Sequence, residues 1–351
     1  METWRIALLP GDGIGPDVVA EAVRVLRAVE ARIPALCFST EEFSVGAGEY
    51  LKSGDPLPPS VFERLVEFDA ILLGAMGLPG VRWPDGVEMT PQLDLRERLE
   101  LYSGLRPIYL FHADDSPLRG RKAGDIDFML VRESTEGLFS ARRAPRDMTA
   151  DRATDTMLIT RAGAERVIRS AFDSAATRRR RVSLVDKANV LPSMAFFRQV
   201  FDEVAAEYSG FETERIYVDA AALYLVERPE RFDVMVTENM FGDILSDLGA
   251  ALVGGMGMAP SADIGERYAV FQPSHGSAPD IAGRGIANPV ATILSAAMML
   301  EWFDTQDARR GAAMIRDAVR KVFSDRRART RDMGGSLSTV EMTDAILAGL
   351  A

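Results

Sequence analysis

The chain has 351 residues, 47% of them hydrophobic and 26% charged, which predicts two domains with sizeable cores. A formal charge of −11 argues against holding a polyanion by bulk electrostatics, so neither nucleic acid nor an anionic membrane surface is an expected partner. A single cysteine, Cys37, excludes an internal disulfide and a cysteine-built metal centre, and two distant histidines, His112 and His275, argue against zinc.

The opening METWRIALLPGDG has an acidic second residue and only a short apolar run, unlike a signal peptide, and no stretch reaches the length of a membrane span; a cytoplasmic location is expected. Residues 4–10 read as a buried strand. The turn Gly11, Asp12, Gly13, Ile14, Gly15 follows, then a helix over 16–32 opened by Pro16. The third glycine of G-x-G-x-x-G would fall at Pro16, so a Rossmann fold is rejected. What remains is a glycine-rich loop at a helix start, where backbone amides approach a ligand closely.

Strand 37–43, helix 59–68 and strand 70–73 continue an alternation that argues α/β with a largely parallel sheet. Helix 92–102 carries Arg96 and Arg98, is read as closed by Ser103 and Gly104, and gives way to a strand at 105–107 with Arg106. Arg96 and Arg106 would converge on one ligand from two elements, or simply be solvated. Strand 126–131 delivers Arg132 and Glu133. Residues 134–160 lack apolar periodicity and read as a protruding arm. Helix 162–176 ends near the basic run 178–181, read as a solvated helix end where cations suit the dipole. Strand 182–185, helix 193–208, strand 214–218 and helix 220–226 follow. Asp186, Lys187 and Asp219 stand at strand ends, where ligands bind in open α/β sheets, although Asp186 and Lys187 are equally a neighbouring ion pair.

Residues 236–257 run from a strand into an apolar helix with Asp243 and Asp247 in its first turns. Four apart, they stand about 40° from one another on one helix face. Paired carboxylates repel, and hard oxygens on a rigid element suit Mg²⁺ or Mn²⁺. The plainer alternative is a capping Asp243 and a solvated Asp247. A strand at 268–272, a loop from His275 to Gly283, and helices over 289–302, 307–323 and 340–348 complete the chain.

Seven motifs occur in order: GDGIGP (11–16), LRERLELYSGLRP (95–107), VRESTEG (131–137), VDKANV (185–190), YVDA (217–220), TENMFGDILSD (237–247) and HGSAPDIAG (275–283). Together they resemble the β-decarboxylating dehydrogenases, the family of isopropylmalate, isocitrate, homoisocitrate and tartrate/D-malate dehydrogenases. The resemblance implies a two-domain α/β fold of the isopropylmalate dehydrogenase type, with central sheets flanked by helices. A cofactor-binding domain would come from residues 1–101 and 254–351, and a smaller one from 102–253 with its clasp-like arm. It further implies a homodimer with shared sites, Lys187 and Asp219 coming from the neighbour of the chain that supplies Asp243 and Asp247.

The resemblance also implies the chemistry, an NAD-dependent oxidation of a 3-carboxy-2-hydroxy acid with loss of carbon dioxide. Asp219, Asp243 and, more loosely, Asp247 would hold Mg²⁺ or Mn²⁺ against the 2-hydroxyl and its carboxylate. Arg96, Arg106 and Arg132 would clamp carboxylates. Lys187 would take the hydroxyl proton as hydride leaves, working with Asp219. Ile14 and the loop His275, Gly276, Ser277, Ala278, Asp280, Ile281 with Asn288 would hold the adenosine half, and Asp280 would repel a 2′-phosphate, favouring NAD over NADP.

Two departures matter. The family places a proton-donating tyrosine where this chain has Phe139, which opens a substitute acid, a reaction that stops before or at the enol, or a non-catalytic regulatory paralogue. At the start of the substrate-selecting helix, isopropylmalate enzymes put leucines around the places of Gln92 and Leu93 and an acid at that of Met89. Isocitrate enzymes use a serine and an asparagine at the offsets held by Thr90 and Gln92. Polar groups here would be left unpaired beside an isopropyl group, so a polar 3-substituent or a small malate-like acid is expected.

Overall fold

The computed structural model describes residues 2–144 and 147–350. The first half contains β1 (Glu2–Gly11), α1 (Gly15–Arg32), β2 (Leu36–Glu42), α2 (Ala47–Ser53), α3 (Pro59–Leu65), β3 (Ala70–Ala75), α4 (Pro91–Arg98), β4 (Ser103–Tyr109), β5 (Asp127–Glu133), β6 (Asp147–Met148), β7 (Ala153–Thr154) and α5 (Arg161–Ala176). The second contains β8 (Arg181–Asp186), α6 (Pro192–Ala205), β9 (Glu212–Tyr217), α7 (Val218–Glu227), β10 (Val234–Thr237), α8 (Asn239–Ala251), β11 (Pro260–Ile264), β12 (Ala269–Pro273), α9 (Val290–Trp302), α10 (Gln306–Phe323) and α11 (Thr339–Gly349).

Ten strands form one mixed sheet in the order β2-β1-β3-β12-β11-β4-β5-β10-β8-β9, and helices cover both faces. The two-residue period of a strand divides the cores. Ile6 and Leu8 of β1 join a cluster with α1, α9, α10 and α11, while Ala7 and Leu9 point the other way, toward α3 and α4. At the far end, Val234 and Val236 pack with α5 and α6, whereas Met235 packs with α7 and α8. The first two cores are drawn from both ends of the chain and the last two from its middle.

Several local expectations change. The sheet is parallel toward both edges, but the central pairs β12 with β11, β11 with β4, and β4 with β5 are antiparallel. Neither β11 nor α2 is evident from periodicity alone. Ser103 and Gly104 begin β4 instead of closing α4: the helix ends at Leu99, Glu100 takes a left-handed φ of 54°, and Leu101 N–H donates to Arg96 O. Asp219 lies in the first turn of α7, one residue past its expected strand. The 178–181 run is not simply solvated, because Arg178 Nε donates to Asp233, whose buried carboxylate requires a cation. Nor does Asp243 cap its helix; Glu238 accepts from the backbone of Met240 and Phe241. Residues 134–160 carry a 3₁₀ turn (Leu138–Arg143) and the small β6–β7 ribbon.

Candidate active site

The antiparallel strands at the sheet centre place opposite charges side by side. Asp263 of β11 faces Gly104 of β4, and Gly104 faces Arg132 of β5, so the three form one row across three strands. Arg96 from α4 and Arg106 from β4 join Arg132 in a cleft of about 320 Å³ that Gln92, Phe139, Asp243, Asp247 and Gln272 also line. All three arginines are buried. Arg132 donates from Nε and Nη2 to Asn239 Oδ1 at 2.9 and 2.7 Å, and from Nη1 to Asp243. Arg106 Nη1 donates to Ser274 Oγ at 2.5 Å, and its Nε has no partner among the described residues. Arg96 Nε stands 3.0 Å from Asp263 Oδ2, an ion pair without hydrogen-bond alignment.

Burial, with Arg96 next, pushes the Arg132 guanidinium down to about 10, and burial lowers Arg106 too. At about 10, Arg132 stays charged at neutral pH. Three close cations with donors to spare make a site for an anion, and the planar fork suits carboxylates.

Asp243 and Asp247 face the same cleft from α8. Burial, then the charge of Asp243, raises the Asp247 carboxyl against the pull of Arg106 and Arg132. A carboxylate pair under this stress fits a hard divalent cation, which would relieve both the repulsion and the desolvation. Two protein carboxylates leave the rest of such a cation's shell to substrate and water, and among the described residues no three acidic, histidine or cysteine side chains gather for a metal. Asp219 is elsewhere on this chain, paired with Lys187, whose ammonium holds the Asp219 carboxyl below its ordinary value. Neither Lys187 nor Asp219 lines the cleft.

Of the two polar residues expected at the selecting helix, the structure brings only Gln92 into the cleft. Its Oε1 is buried and unpartnered among the described residues, whereas Thr90 sits half-buried at the start of α4 outside the lining. The Phe139 ring lies under Arg132, its centroid 5.3 Å from Cζ.

A second cleft of about 360 Å³ is lined by Ile14, His275, Ile281 and Asn288 from the expected nucleotide set. His275 also lines the first cleft, with Gly276, and so joins the two. Its loop is tied to the glycine-rich turn: Ile14 N–H donates to Ser277 O at 2.8 Å. Gly13 is required there, since its φ is 60° and a Cβ would stand 1.9 Å from Ser277 O. Ser277 Oγ donates to Gly77 O, and Ala278 packs beside Ile14. Asp280 is exposed and lines neither cleft. Burial pushes His275 below its ordinary value, so its ring is neutral at neutral pH. Arg331 and Asp332 also line the second cleft, and Asp332 accepts from Asn288 Nδ2 at 3.1 Å. Lying beyond α10, neither carries a local signal that would have marked it in the sequence.

The family model for isocitrate/isopropylmalate dehydrogenase matches residues 5–346. The chain belongs to the isocitrate/isopropylmalate dehydrogenase family. Within that family it is 44% identical to the 3-isopropylmalate dehydrogenase of Moorella thermoacetica, over 92% of this chain and 91% of that one. A crystal structure of isocitrate dehydrogenase from Methylococcus capsulatus superposes with a TM-score of 0.87 at 37% identity, covering 99% of both chains. The apo β-decarboxylating dehydrogenase of Thermococcus kodakarensis gives a TM-score of 0.81 at 39% identity, over 99% of this chain and 96% of that one. Every residue of both clefts falls within the span matched by the isocitrate/isopropylmalate dehydrogenase model.

Proposed function

We propose that the protein oxidises the hydroxyl of a malate-type 3-carboxy-2-hydroxy acid with NAD and Mg²⁺ or Mn²⁺, with carbon dioxide leaving from the 3-carboxylate. The observation that carries this reading is the facing of three buried arginines and a stressed acid pair in one cleft, joined through His275 to a second cleft of nucleotide size. Arg96, Arg106 and Arg132 hold the carboxylates and fix which face of the substrate meets the nicotinamide. Asp243 and Asp247, completed by Asp219 of a second copy, hold the cation. A bound divalent cation would supply Lewis acidity at the hydroxyl oxygen, the atom that becomes the ketone oxygen. Lys187 of the second copy takes the hydroxyl proton.

Residues 1–101 with 254–351 serve in this reading as the cofactor-binding domain, and 102–253 as the smaller domain through which two copies pair. Leu223, Val226 and Ile244, on α7 and α8, are 52%, 45% and 61% exposed, an apolar face suited to a matching copy. Asp280, on the loop that resembles the family's adenosine site, would repel a 2′-phosphate and so favours NAD over NADP.

The buried, unpartnered Gln92 Oε1 favours a polar 3-substituent or a small malate-like acid. A second reading, 3-isopropylmalate itself, is favoured by Leu93 and Phe139 in the lining and by the likeness to the 3-isopropylmalate dehydrogenase of Moorella thermoacetica. A panel of 2-hydroxy diacids and triacids with NAD or NADP and Mn²⁺, read by reduced-cofactor absorbance, separates them. Fastest turnover of 3-isopropylmalate would overturn the polar-pocket reading, and no turnover of any acid would leave a regulatory paralogue.

A further inference from the structure

Behind the arginine clamp lies a carboxylate to which the chemistry above assigns no task. Asp263 is 0% exposed and does not line the cleft. Its Oδ1 accepts from Ser134 Oγ at 3.1 Å, and its Oδ2 accepts from Gln272 Nε2 at 2.8 Å while standing 3.0 Å from Arg96 Nε. The fold makes room for it: a Cβ on Gly104 would come within 2.6 Å of Ser134 Oγ and 3.2 Å of Asp263 Oδ1. Burial raises this carboxyl, but Arg96, Arg106 and Arg132 more than offset that and leave it below its ordinary value. Asp263 is therefore a permanent negative charge, tied on one side to two residues that do face the ligand, Arg96 and Gln272.

Asp243, the other anion near the clamp, differs in kind. Its side chain is 44% exposed, and its bond to Arg132 can be exchanged for a bond to a cation. Asp263 has no such exit. A bound divalent cation would match the charges of Asp243 and Asp247, and the Lys187–Asp219 ion pair of a second copy is neutral as a pair, so the charge offered to the rest of the ligand is that of three guanidiniums less one buried carboxylate. This leaves two positive charges for two carboxylates.

We propose that Asp263 is a positioning and specificity residue: it holds Arg96 and Gln272 from behind and fixes the charge of the clamp to suit a dicarboxylate over a tricarboxylate. The inference rests on the arginine-clamp reading of the cleft. A third carboxylate entering the cleft would meet a clamp short of one positive charge.

Glutarate and tricarballylate share a backbone and differ by one carboxylate. Their binding to the full-length protein with saturating Mg²⁺, measured by titration calorimetry, tests the inference whether or not turnover is seen, so failure of the proposed reaction is read separately. The wild-type protein should bind glutarate more tightly. In Asp263→Asn, which keeps the shape and removes the charge, the affinity ratio should move toward tricarballylate by about ten-fold or more. A merely structural role would weaken both ligands alike, and an unchanged ratio in folded Asp263→Asn overturns the proposal. Should that variant not fold, the wild-type protein decides, and tighter binding of tricarballylate than of glutarate overturns the proposal equally.

Discussion

Lys187 and Asp219 are bonded to one another, and neither lines the cleft that holds Asp243 and Asp247. If the two pairs meet only across a dimer, complementation follows. Lys187→Ala and Asp243→Asn should each be inactive alone, and a refolded equal mixture should recover about a quarter of wild-type activity, because half the dimers are mixed and each carries one intact site. Activity assays on the mixture, with sedimentation to confirm pairing, check this. A mixture as inactive as its parents would place the whole site within one chain.

Gly242 of α8 lies against Arg132: a Cβ there would stand 2.7 Å from the arginine Cγ. Gly242→Ala should push Arg132 out of line and lower kcat/KM by roughly 10²-fold, the scale of a misplacement near 1 Å. The melting temperature should fall much less than activity does. Steady-state kinetics beside a thermal melt make the comparison.

Glu133 is buried beside Arg132, and burial, opposed by bonds from Thr135 and Glu136, pushes its carboxyl up to about 7. A carboxyl raised on folding stabilises the native state fully below its unfolded value near 4.5, and that contribution is lost as pH rises through about 7. The loss is at most about 3 kcal/mol at 1.36 kcal/mol per unit. Glu133→Gln should therefore gain stability relative to wild type between pH 5 and pH 8, measurable by denaturant unfolding at each pH. A difference between the two proteins that does not vary with pH would show that Glu133 ionises freely.

Removing divalent cations with EDTA should abolish reduction of NAD, and Mn²⁺ or Mg²⁺ should restore it. Binding without turnover gives a second readout, since a ligand at 100 times its Kd stabilises by about 2.7 kcal/mol. Mn²⁺ should thus raise the melting temperature of the wild-type protein, and Asp243→Asn should show little of the rise.

Phe139 cannot donate a proton, and its ring sits beneath Arg132 in the cleft. Phe139→Tyr should raise turnover and shorten the life of the enol that decarboxylation leaves, followed by its ultraviolet absorbance. No change in either would mean that water or another side chain already serves this step.

Much of this organisation is legible locally. The periods of α1, α5, α6 and α10, the turn at 11–15 and the carboxylate spacing on α8 are short-range patterns, and the structure bears each of them out with ends moved by a few residues. The start of β4 at Ser103, two residues before the strand expected at Leu105, is not legible locally, because Glu100 turns the chain in a left-handed conformation that composition does not announce. Strand β11 has little local signal, because Pro260, Ser261 and Asp263 depress its apolar pattern although the sheet buries all three. Arg331 and Asp332 reach the second cleft only because α9 and α10 carry the chain back to the glycine-rich loop.

By itself the sequence determined which side chains this protein has for its chemistry, since guanidiniums, paired acids and a lysine are fixed by residue type and their grouping on helices by 3.6-residue repetition. Only the tertiary structure decided which of them meet. Strand pairing across the centre of the sheet set Asp263, Gly104 and Arg132 in one row, drew Gln92 into the cleft and left Thr90 outside, and kept Lys187 with Asp219 away from Asp243. Such contacts depend on register between segments from about thirty to more than a hundred and fifty residues apart, and register follows from burying whole faces together, which no local pattern contains.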